Sequence, residues 1–200
     1  MLILFMQENA GKFMMMTKLK NFVLTTNRLI LMPLTCNELL LYSKPDDRLE
    51  LELGLSVSST KRRFPEEYLL TIERSIIPFV CENPNQFLFG TLWLMIHQQN
   101  NIIIGDIGFK GVPTENGLLE VGYITYPEFM GNGYMTEALK ALTYWGFSQP
   151  GVKIILAETN KSNIASQRVL NKSDFMQFAE TDEMFWWRLD KEDAGQMSQK

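Results

Sequence analysis

A short loop with two glycines contains the residues best suited to chemistry in this sequence. Gly131 and Gly133 flank Asn132, between an alternating β-branched and aromatic stretch (residues 118–126) and a stretch with apolar residues at helical spacing (residues 133–148). Glycine lets backbone N–H groups turn toward one point, and the first N–H groups of a helix have no partner within it. The loop is therefore suited to binding an anion, typically a phosphate.

Three alternative interpretations of this loop lead elsewhere. Asn132-Gly133 is typical of a type I′ hairpin turn, but residues 136–140 favour a helix. A P-loop requires Lys-Ser or Lys-Thr after its last glycine, where this sequence has Tyr134-Met135. A dinucleotide-binding loop fits the two glycines and also Glu158, which lies at about the right distance for a ribose, but its third glycine is replaced by Thr136. The loop alone does not distinguish these hypotheses, so the neighbouring strands and helices are needed.

The connections between the preceding strands separate these hypotheses. Residues 86–97, 101–112 and 118–126 read as strands, joined by short polar segments that allow only antiparallel hairpins. A dinucleotide-binding unit would need helical crossovers there. Residues 153–158 form a further strand after the helix, and the right-handed crossover rule places it parallel to residues 118–125. The pattern predicts one parallel pair inside an otherwise antiparallel sheet.

The remaining elements are predicted from periodicity and from helix and strand breakers. A first strand covers residues 27–35, with Pro33 at an edge or strand end. Helices are predicted over residues 37–42, from Pro65 until the chain nears Pro78, and over residues 163–172. Two closing strands follow, over residues 176–180 and 184–189, with Trp186 and Trp187 on opposite faces.

Three blocks of the sequence resemble one known family. Residues 127–139 look like the acyl-coenzyme A loop of the GCN5-related N-acetyltransferase (GNAT) superfamily, especially its branch that acetylates ribosomal-protein N-termini. Glu120-Val121-Gly122-Tyr123 is similar to the central strand of that branch, and residues 163–172 are similar to its later helix. The resemblance runs in the expected order from about Asn27 to Leu189.

The resemblance implies a fold and an activity. The fold is α+β: a mixed, mostly antiparallel sheet of about six to seven strands flanked by helices, with a central parallel pair. The activity is transfer of acetyl from acetyl-coenzyme A directly to a primary amine, on a protein N-terminus or a small molecule, and residues 44–83 would cover the acceptor site. The alternative hypotheses are a coenzyme A-binding sensor with little catalysis and, more distantly, a dinucleotide-binding protein.

The resemblance also assigns residues to the coenzyme and to the chemistry. Glu120 is the candidate base, directly or through a water, and its alternative is a carboxylate paired on the strand. Ser166 is the candidate proton donor to the thiolate, although an ordinary serine in a helical first turn is favoured. Asn163 is either a coenzyme ligand or a helix N-cap. The residues predicted to bind the coenzyme are Ile124, Thr125, Met130, Gly131, Asn132, Gly133, Tyr134, Met135 and Asn163.

Three positions depart from the family pattern. Glu128 stands where the superfamily has Gln or Arg before the loop, although the ribosomal branch often lacks that basic residue. Asp174-Phe175 replaces the usual Gly-Phe after the last helix. Leu170 replaces a tyrosine that many members use as general acid, and it has no proton to donate.

Composition limits the domain organisation and the partners. The 200 residues, 46% hydrophobic, suit one domain, predicted over residues 21–190 between an N-terminal extension (1–20, a leader or an alternative start) and a disordered tail (191–200). The net charge of −4 argues against nucleic acid as a partner, and no membrane-spanning stretch is apparent. The expected partners are acetyl-coenzyme A and an amine, in a cytoplasmic monomer or homodimer.

Cysteine and histidine usage argues against a metal site. Cys36 and Cys81 lie far apart with no CxxC motif, and His97 is the single histidine, so neither a disulfide nor a bound metal is expected. His97 is predicted to occupy an ordinary strand position. The charged segment Lys61-Arg62-Arg63 is predicted to be a solvated turn.

Overall fold

The computed structural model describes residues 22–58, 62 and 64–194. The predicted N-terminal extension, 1–20, lies outside the described residues. The predicted tail begins as a helical turn, α8 (Lys191–Ala194), and residues 195–200 again lie outside.

Within the described chain, eight strands form one sheet in the order β1-β2-β3-β4-β5-β6-β8-β7. Neighbouring strands run antiparallel except β5 and β6, which are parallel, as predicted. The strand count exceeds the prediction because a two-residue strand, β1, precedes the predicted first strand. The strands are β1 (Leu24–Thr25), β2 (Leu29–Pro33), β3 (Trp93–His97), β4 (Ile102–Phe109), β5 (Leu118–Thr125), β6 (Ile154–Asn160), β7 (Met176–Glu180) and β8 (Met184–Asp190).

Helices cover both faces of this sheet. The long helix α6 and the shorter α7 occupy the positions that the sequence predicts, and Asn163 caps α7. Thr35 and Glu38 form a reciprocal capping box at the start of α1. The helices are α1 (Cys36–Tyr42), α2 (Arg48–Leu53), α3 (Glu66–Thr71), α4 (Ile77–Glu82), α5 (Phe87–Gly90), α6 (Tyr134–Ser148) and α7 (Ile164–Lys172).

The predicted helix end near Pro78 is wrong. The helix continues from α3 through a π-helical turn (Ile72–Ile76) into α4 and ends at Glu82. Proline lacks an N–H and its ring crowds the preceding turn, so it usually interrupts a helix. Here the chain has already widened into the π turn, and Pro78 lies at the start of the regular helix that follows, where no N–H is needed.

The predicted strand over residues 86–97 is also wrong in its first half. Phe87–Gly90 forms the short helix α5, and the strand begins only at Trp93. An apolar run of this length suits a buried helix as well as a buried strand, so periodicity does not distinguish them. Close packing adds a constraint that is invisible in the sequence, because a side chain at Gly90 would collide with the ring of Phe79.

Two hydrophobic clusters lie on opposite faces of the sheet. On one face, α6 buries an apolar stripe against the central strands, and Gly146 allows α6 to approach Phe109 closely. On the other face, α1, α2 and the α3–α4 helix bury Tyr42, Leu49 and Ile72. Trp187 is buried and Trp186 is half-buried, as their predicted orientations require. The apolar stripe of α6 comprises Met135, Ala138, Leu139, Leu142 and Trp145.

Two expectations for the helical face are corrected. Cys36 and Cys81 form a disulfide, with Cα atoms 5.1 Å apart, because α1 and α4 pack together although the cysteines are 45 residues apart. Arg62 is buried rather than solvated: it pairs with Glu50 and lies 5.2 Å from the ring centre of Tyr42. Its neighbours Lys61 and Arg63 lie outside the described residues. No helix in the described ranges is long and apolar enough to cross a membrane.

Candidate active site

The parallel pair β5–β6 opens into a gap. Leu118 to Glu120 pair with Ile154 to Leu156, but β5 then continues to Thr125 and β6 to Asn160 without further pairing between them. Beyond Glu120, β5 therefore has one edge without a strand partner among the described residues. A free edge inside a sheet presents backbone N–H and C=O groups to whatever occupies the gap.

The direction of each β5 amide follows from its bonds to β4. The Glu120 carbonyl accepts from the Lys110 N–H at 2.8 Å, and the Tyr126 N–H donates to the Ile104 carbonyl at 2.9 Å. Because backbone groups alternate along a strand, Ile124 also faces β4, whereas Tyr123 and Thr125 face the gap. Of the two residues on β5 that were predicted to bind the coenzyme, Ile124 and Thr125, Thr125 is therefore the one whose N–H points into the gap.

The glycine loop follows β5 after one 3₁₀ turn, Pro127–Phe129. Gly131 and Gly133 have φ values of 78° and 77°, a region that favours glycine. The side-chain amide of Asn132 donates to the carbonyls of Phe129 and Met130, at 3.2 and 3.1 Å, and so braces the loop. The helix α6 begins at Tyr134, so the positive end of its dipole adjoins the loop, as an anion site requires.

Arg28, from the turn between β1 and β2, holds this loop from outside. Its guanidinium donates to the Asn132 carbonyl at 3.0 Å and to the Glu137 carboxylate at 2.7 Å, and it lies 4.5 Å from the centre of the Tyr134 ring. Burial raises the pKa of Glu137, but hydrogen bonds from Thr26 and Arg28 outweigh it and hold that pKa below its usual range. Sequence reasoning missed Arg28 because no local pattern links it to a loop about a hundred residues away.

The predicted base, Glu120, is paired with a cation. Lys110, directly after β4, contacts Glu120 at 2.5 Å and Glu158 on β6 at 2.9 Å, so one ammonium bridges two carboxylates where the parallel strands meet. Burial lowers the pKa of Lys110, but these two carboxylates outweigh it and raise the pKa. Glu120 is also five residues from Thr125, or about 17 Å along an extended strand. The carboxylate is thus too far from the Thr125 amide to share one small substrate group directly.

The predicted donor, Ser166, forms a hydroxyl pair with Tyr123. Their oxygens are 2.8 Å apart, on the face of β5 that packs against α7. The Asn163 side chain accepts from the Ser166 N–H at 3.0 Å, so Asn163 fulfils its N-cap alternative. Burial raises the pKa of Tyr123 to about 12, although the Ser166 hydroxyl lowers it, so Tyr123 keeps its proton at neutral pH. Sequence reasoning placed Tyr123 only on the strand and assigned it no chemical role.

Two departures from the family pattern have structural explanations. Leu170 is fully buried in the core beneath α6, so it fills space and takes no part in proton transfer. Asp174 has a φ of 65°, the left-handed conformation that glycine adopts easily and aspartate tolerates. The usual glycine is therefore replaced by a residue that still permits the turn, and Phe175 is buried next to it.

Known proteins share both the sequence pattern and the fold. The family model of the acetyltransferase (GNAT) domain matches residues 38–176. YjdG, an uncharacterized N-acetyltransferase of Bacillus subtilis (strain 168), is 30% identical over 154 residues, which are 77% of this chain and 89% of that protein.

Two solved structures illustrate the shared fold. The ribosomal L7/L12 α-N-protein acetyltransferase RimL, in complex with coenzyme A, has a TM-score of 0.62 at 17% identity and covers 86% of this chain and 99% of its own. The ribosomal-protein-S5-alanine acetyltransferase of Vibrio fischeri has a TM-score of 0.64 at 13% identity and covers 86% and 98%.

The splayed parallel strands and the glycine loop define an acetyltransferase fold. The chain belongs to the GNAT acetyltransferases, which confirms the resemblance inferred from the sequence. The acetyl donor of this family is acetyl-coenzyme A. The dinucleotide-binding alternative fails on the antiparallel hairpins β3–β4 and β4–β5, which leave no helical crossover.

Proposed function

We propose that this protein transfers acetyl from acetyl-coenzyme A directly to a primary amine, on a protein N-terminus or a small molecule. The observation that carries the proposal is the free edge of β5, which is followed, after one 3₁₀ turn (Pro127–Phe129), by the glycine loop at the start of α6. One extended ligand with a pyrophosphate at one end and an amide-bearing arm matches that sequence of donors: loop amides for the phosphates, strand amides for the arm.

The coenzyme-binding residues are proposed from this arrangement. The backbone of the loop from Met130 to Met135 faces the pyrophosphate, with Gly131 and Gly133 permitting close approach. Thr125, and not its neighbour Ile124, offers its N–H to the thioester carbonyl, where negative charge develops during acyl transfer. Asn163 caps α7 and so fixes the first turn of that helix. Its proposed effect on coenzyme binding is therefore indirect, through the position of that turn.

Proton transfer is proposed to use groups at both ends of the free edge. Glu120 accepts a proton from the amine through a chain of water molecules along the free edge, because its distance from Thr125 excludes direct contact. The hydroxyl pair of Ser166 and Tyr123 donates a proton to the departing thiolate. Tyr123 thereby supplies the phenolic hydroxyl that Leu170 cannot.

The names of the two similar structures bear on the class of acceptor. One is a ribosomal L7/L12 α-N-protein acetyltransferase and the other a ribosomal-protein-S5-alanine acetyltransferase, which favours a protein N-terminus among primary amines. Polyamines, amino acids and other small amines are also candidate acceptors, because proteins that share a fold at such low sequence identity often act on different substrates.

Turnover with defined amines tests the proposal. The purified chain is incubated with acetyl-coenzyme A and peptides beginning with Ser or Ala, spermidine, or free amino acids, and acetylated products are identified by mass spectrometry. At least one amine is expected to be acetylated. When the amine is omitted, the enzyme itself is expected to remain unacetylated. Coenzyme A binding with no acetylated amine in the panel would favour the sensor alternative, and a stable acetyl-enzyme would exclude direct transfer.

The role of Glu120 is tested on the same acceptor. Glu120→Gln is expected to lower kcat by roughly 10²-fold, with the affinity for acetyl-coenzyme A nearly unchanged. Ser166→Ala is expected to cost less, because a thiolate leaves readily. Glu158→Gln is the matched control, since it removes the other carboxylate of the same lysine. Equal losses in the two glutamine variants would assign Glu120 to the ion pair alone.

A further inference from the structure

A buried carboxylate on β4 lies at the centre of a cluster of tyrosine hydroxyls. Asp106 is 1% exposed, and its two carboxylate oxygens accept separate hydrogen bonds from Tyr42, at 2.7 Å, and from Tyr68. Tyr126 extends the cluster, with its oxygen 2.8 Å from that of Tyr42. Phe64 packs against all three tyrosine rings, at centroid distances of 5.1 to 6.4 Å. Neither Glu120 nor Ser166 belongs to this cluster.

Counting protons shows what the cluster can offer a ligand. Each tyrosine has one hydroxyl proton, and those of Tyr42 and Tyr68 both go to Asp106. Tyr126 must therefore donate to Tyr42, because the Tyr42 proton is already committed. All three protons point inward, toward the carboxylate. While Asp106 is ionised, the oxygens of Tyr68 and Tyr126 therefore keep only lone pairs for an outside partner, with that negative charge behind them.

The cluster also lies beside the proposed transfer site. Asp106 is the cross-strand partner of Ile124, so their side chains share one face and their strands are about 4.8 Å apart. Tyr126 follows β5 immediately and lies on that same face. Asp106 and Tyr42 are buried, whereas Tyr68 and Tyr126 are only partly buried. The cluster thus runs from the core to a partly open end next to the end of the free edge of β5.

We propose that the hydroxyl oxygens of Tyr68 and Tyr126 bind the ammonium group of the acceptor, with Asp106 as its buried counter-charge. This inference rests on the proposed function, because it names the acceptor subsite of the same transferase. A primary ammonium has three N–H donors and no acceptor, which complements a surface that offers only lone pairs. Tyr68 and Tyr126 are binding residues, whereas Asp106 and Tyr42 are positioning residues that orient the two hydroxyls.

The charge state of Asp106 agrees with this role. Burial raises its pKa to about 7, although hydrogen bonds from Tyr68 and Tyr42 lower it. A cation bound at the tyrosines would favour the ionised carboxylate. The groups that face this carboxylate are Tyr42 from α1, Tyr68 from α3 and Tyr126 after β5, and the Arg62–Glu50 pair also acts on Tyr126 by its charges. Ammonium affinity is therefore expected to rise with pH through about 7.

A small probe tests the subsite without any assumption about the natural acceptor. Protein labelled with ¹³C in its tyrosine rings is titrated with ethylammonium chloride in the presence of coenzyme A, and the signals are assigned with Tyr68→Phe and Tyr126→Phe. Saturable shifts are expected at Tyr68 and Tyr126 and not at Tyr144, which is 51% exposed on α6. Tetramethylammonium, a cation with no N–H donor, is expected to produce no saturable shift. No response, or an equal response to both cations, would overturn the inference.

Kinetics with an acceptor that is turned over provide the second readout. Tyr126→Phe is expected to raise KM for the amine by roughly tenfold or more, with a smaller change in kcat and no change in KM for acetyl-coenzyme A. Tyr144→Phe is the matched control for loss of a hydroxyl. An unchanged amine KM in both Tyr68→Phe and Tyr126→Phe would refute the subsite while leaving the transferase function intact. Conversely, a protein that acetylates no amine can still be scored by the ethylammonium titration.

Discussion

Residues of the glycine loop are constrained by their backbone conformation more than by the chemistry of their side chains. Gly133 combines a φ of 77° with a position next to the guanidinium of Arg28, whose nearest nitrogen would lie 3.7 Å from an added Cβ. A side chain at this position is therefore strained, and it would enter the space proposed for phosphate.

Gly133→Asp is expected to weaken coenzyme A binding by at least about 1–3 kcal/mol, through strain and through a negative charge beside the pyrophosphate. Calorimetry measures the affinity. Gly151→Asp is the matched control, because Gly151 has a φ of 82° and open space around it but lies beyond the far end of α6. Equal affinities in wild type and Gly133→Asp, with the fold intact, would remove the coenzyme from this loop.

The single residue Asp106 is expected to have a measurable effect on the stability of the protein. Its pKa is raised from 3.8 to about 7, so between these values the folded protein holds a proton that the unfolded chain has released. Stability should therefore fall as pH rises through this window, by up to about 4 kcal/mol from this group. Asp106→Asn should abolish that fall.

Urea unfolding at about pH 4.5 and about pH 7.5 measures this difference between wild type and Asp106→Asn. The stability of the variant relative to wild type is expected to increase with pH. Asp174→Asn, at a half-exposed carboxylate, is the control and should show a much smaller trend. A constant difference between wild type and Asp106→Asn at both pH values would mean that the carboxyl titrates normally in the fold.

Among the elements, those with a strong internal period could be predicted from the sequence and those set by packing could not. The stripe from Met135 to Trp145 has helical spacing over several turns, and α6 was predicted almost to the residue. The helix α5 and the continuation past Pro78 depend on contacts with other elements, which no local pattern contains. The same limit applies to the site: the glycine loop is local, whereas Arg28 and Asp106 acquire their roles from distant partners.

The disulfide between α1 and α4 is a cross-link of this non-local kind. Its 45-residue separation predicts a stabilisation of about 4 kcal/mol from the entropy of the unfolded chain. Cys36→Ser should lose that amount. Urea unfolding with and without a reductant tests this: reductant should lower the stability of wild type to that of Cys36→Ser and leave the variant unaffected. A wild type whose stability does not change with reductant would show that the two thiols are not bonded in solution.

The cytoplasm keeps thiols reduced. In the cytoplasmic location that the sequence predicts, the two cysteines are therefore expected to be reduced and the protein to have the lower stability of Cys36→Ser.

For the whole molecule, β5 separates the proposed chemistry into two sides. The Tyr123–Ser166 pair lies on the face with α6 and α7, where it can reach the departing thiolate. The Asp106 cluster lies on the opposite face, under α1 and the α3–α4 helix, where the amine is proposed to bind. In the proposed reaction, acetyl donor and amine acceptor thus approach one strand from opposite faces of the sheet.

Coenzyme binding should consequently protect specific amides. Hydrogen exchange followed by NMR is expected to be fast for Tyr123 and Thr125 in the free protein, because their N–H groups face the gap, and slower with coenzyme A bound. The amide of Ile124, which faces β4, should be protected in both states and serves as the internal reference. The complex should also gain about 2.7 kcal/mol of stability at a ligand concentration of a hundred times Kd. Equal exchange at Thr125 with and without coenzyme A would contradict the proposed path of the ligand.

The splay of β5 from β6 has a further consequence for what can add to the open edge of β5. An open strand edge is a template onto which a strand of another chain can add. The splay creates such an edge in the middle of the sheet, but the two strands converge at Glu120 and Leu156, so the opening narrows to ordinary strand spacing. A foreign strand needs uniform width along its whole length, whereas a single flexible arm does not. The narrowing of the gap therefore favours a single extended ligand over an added strand at this edge.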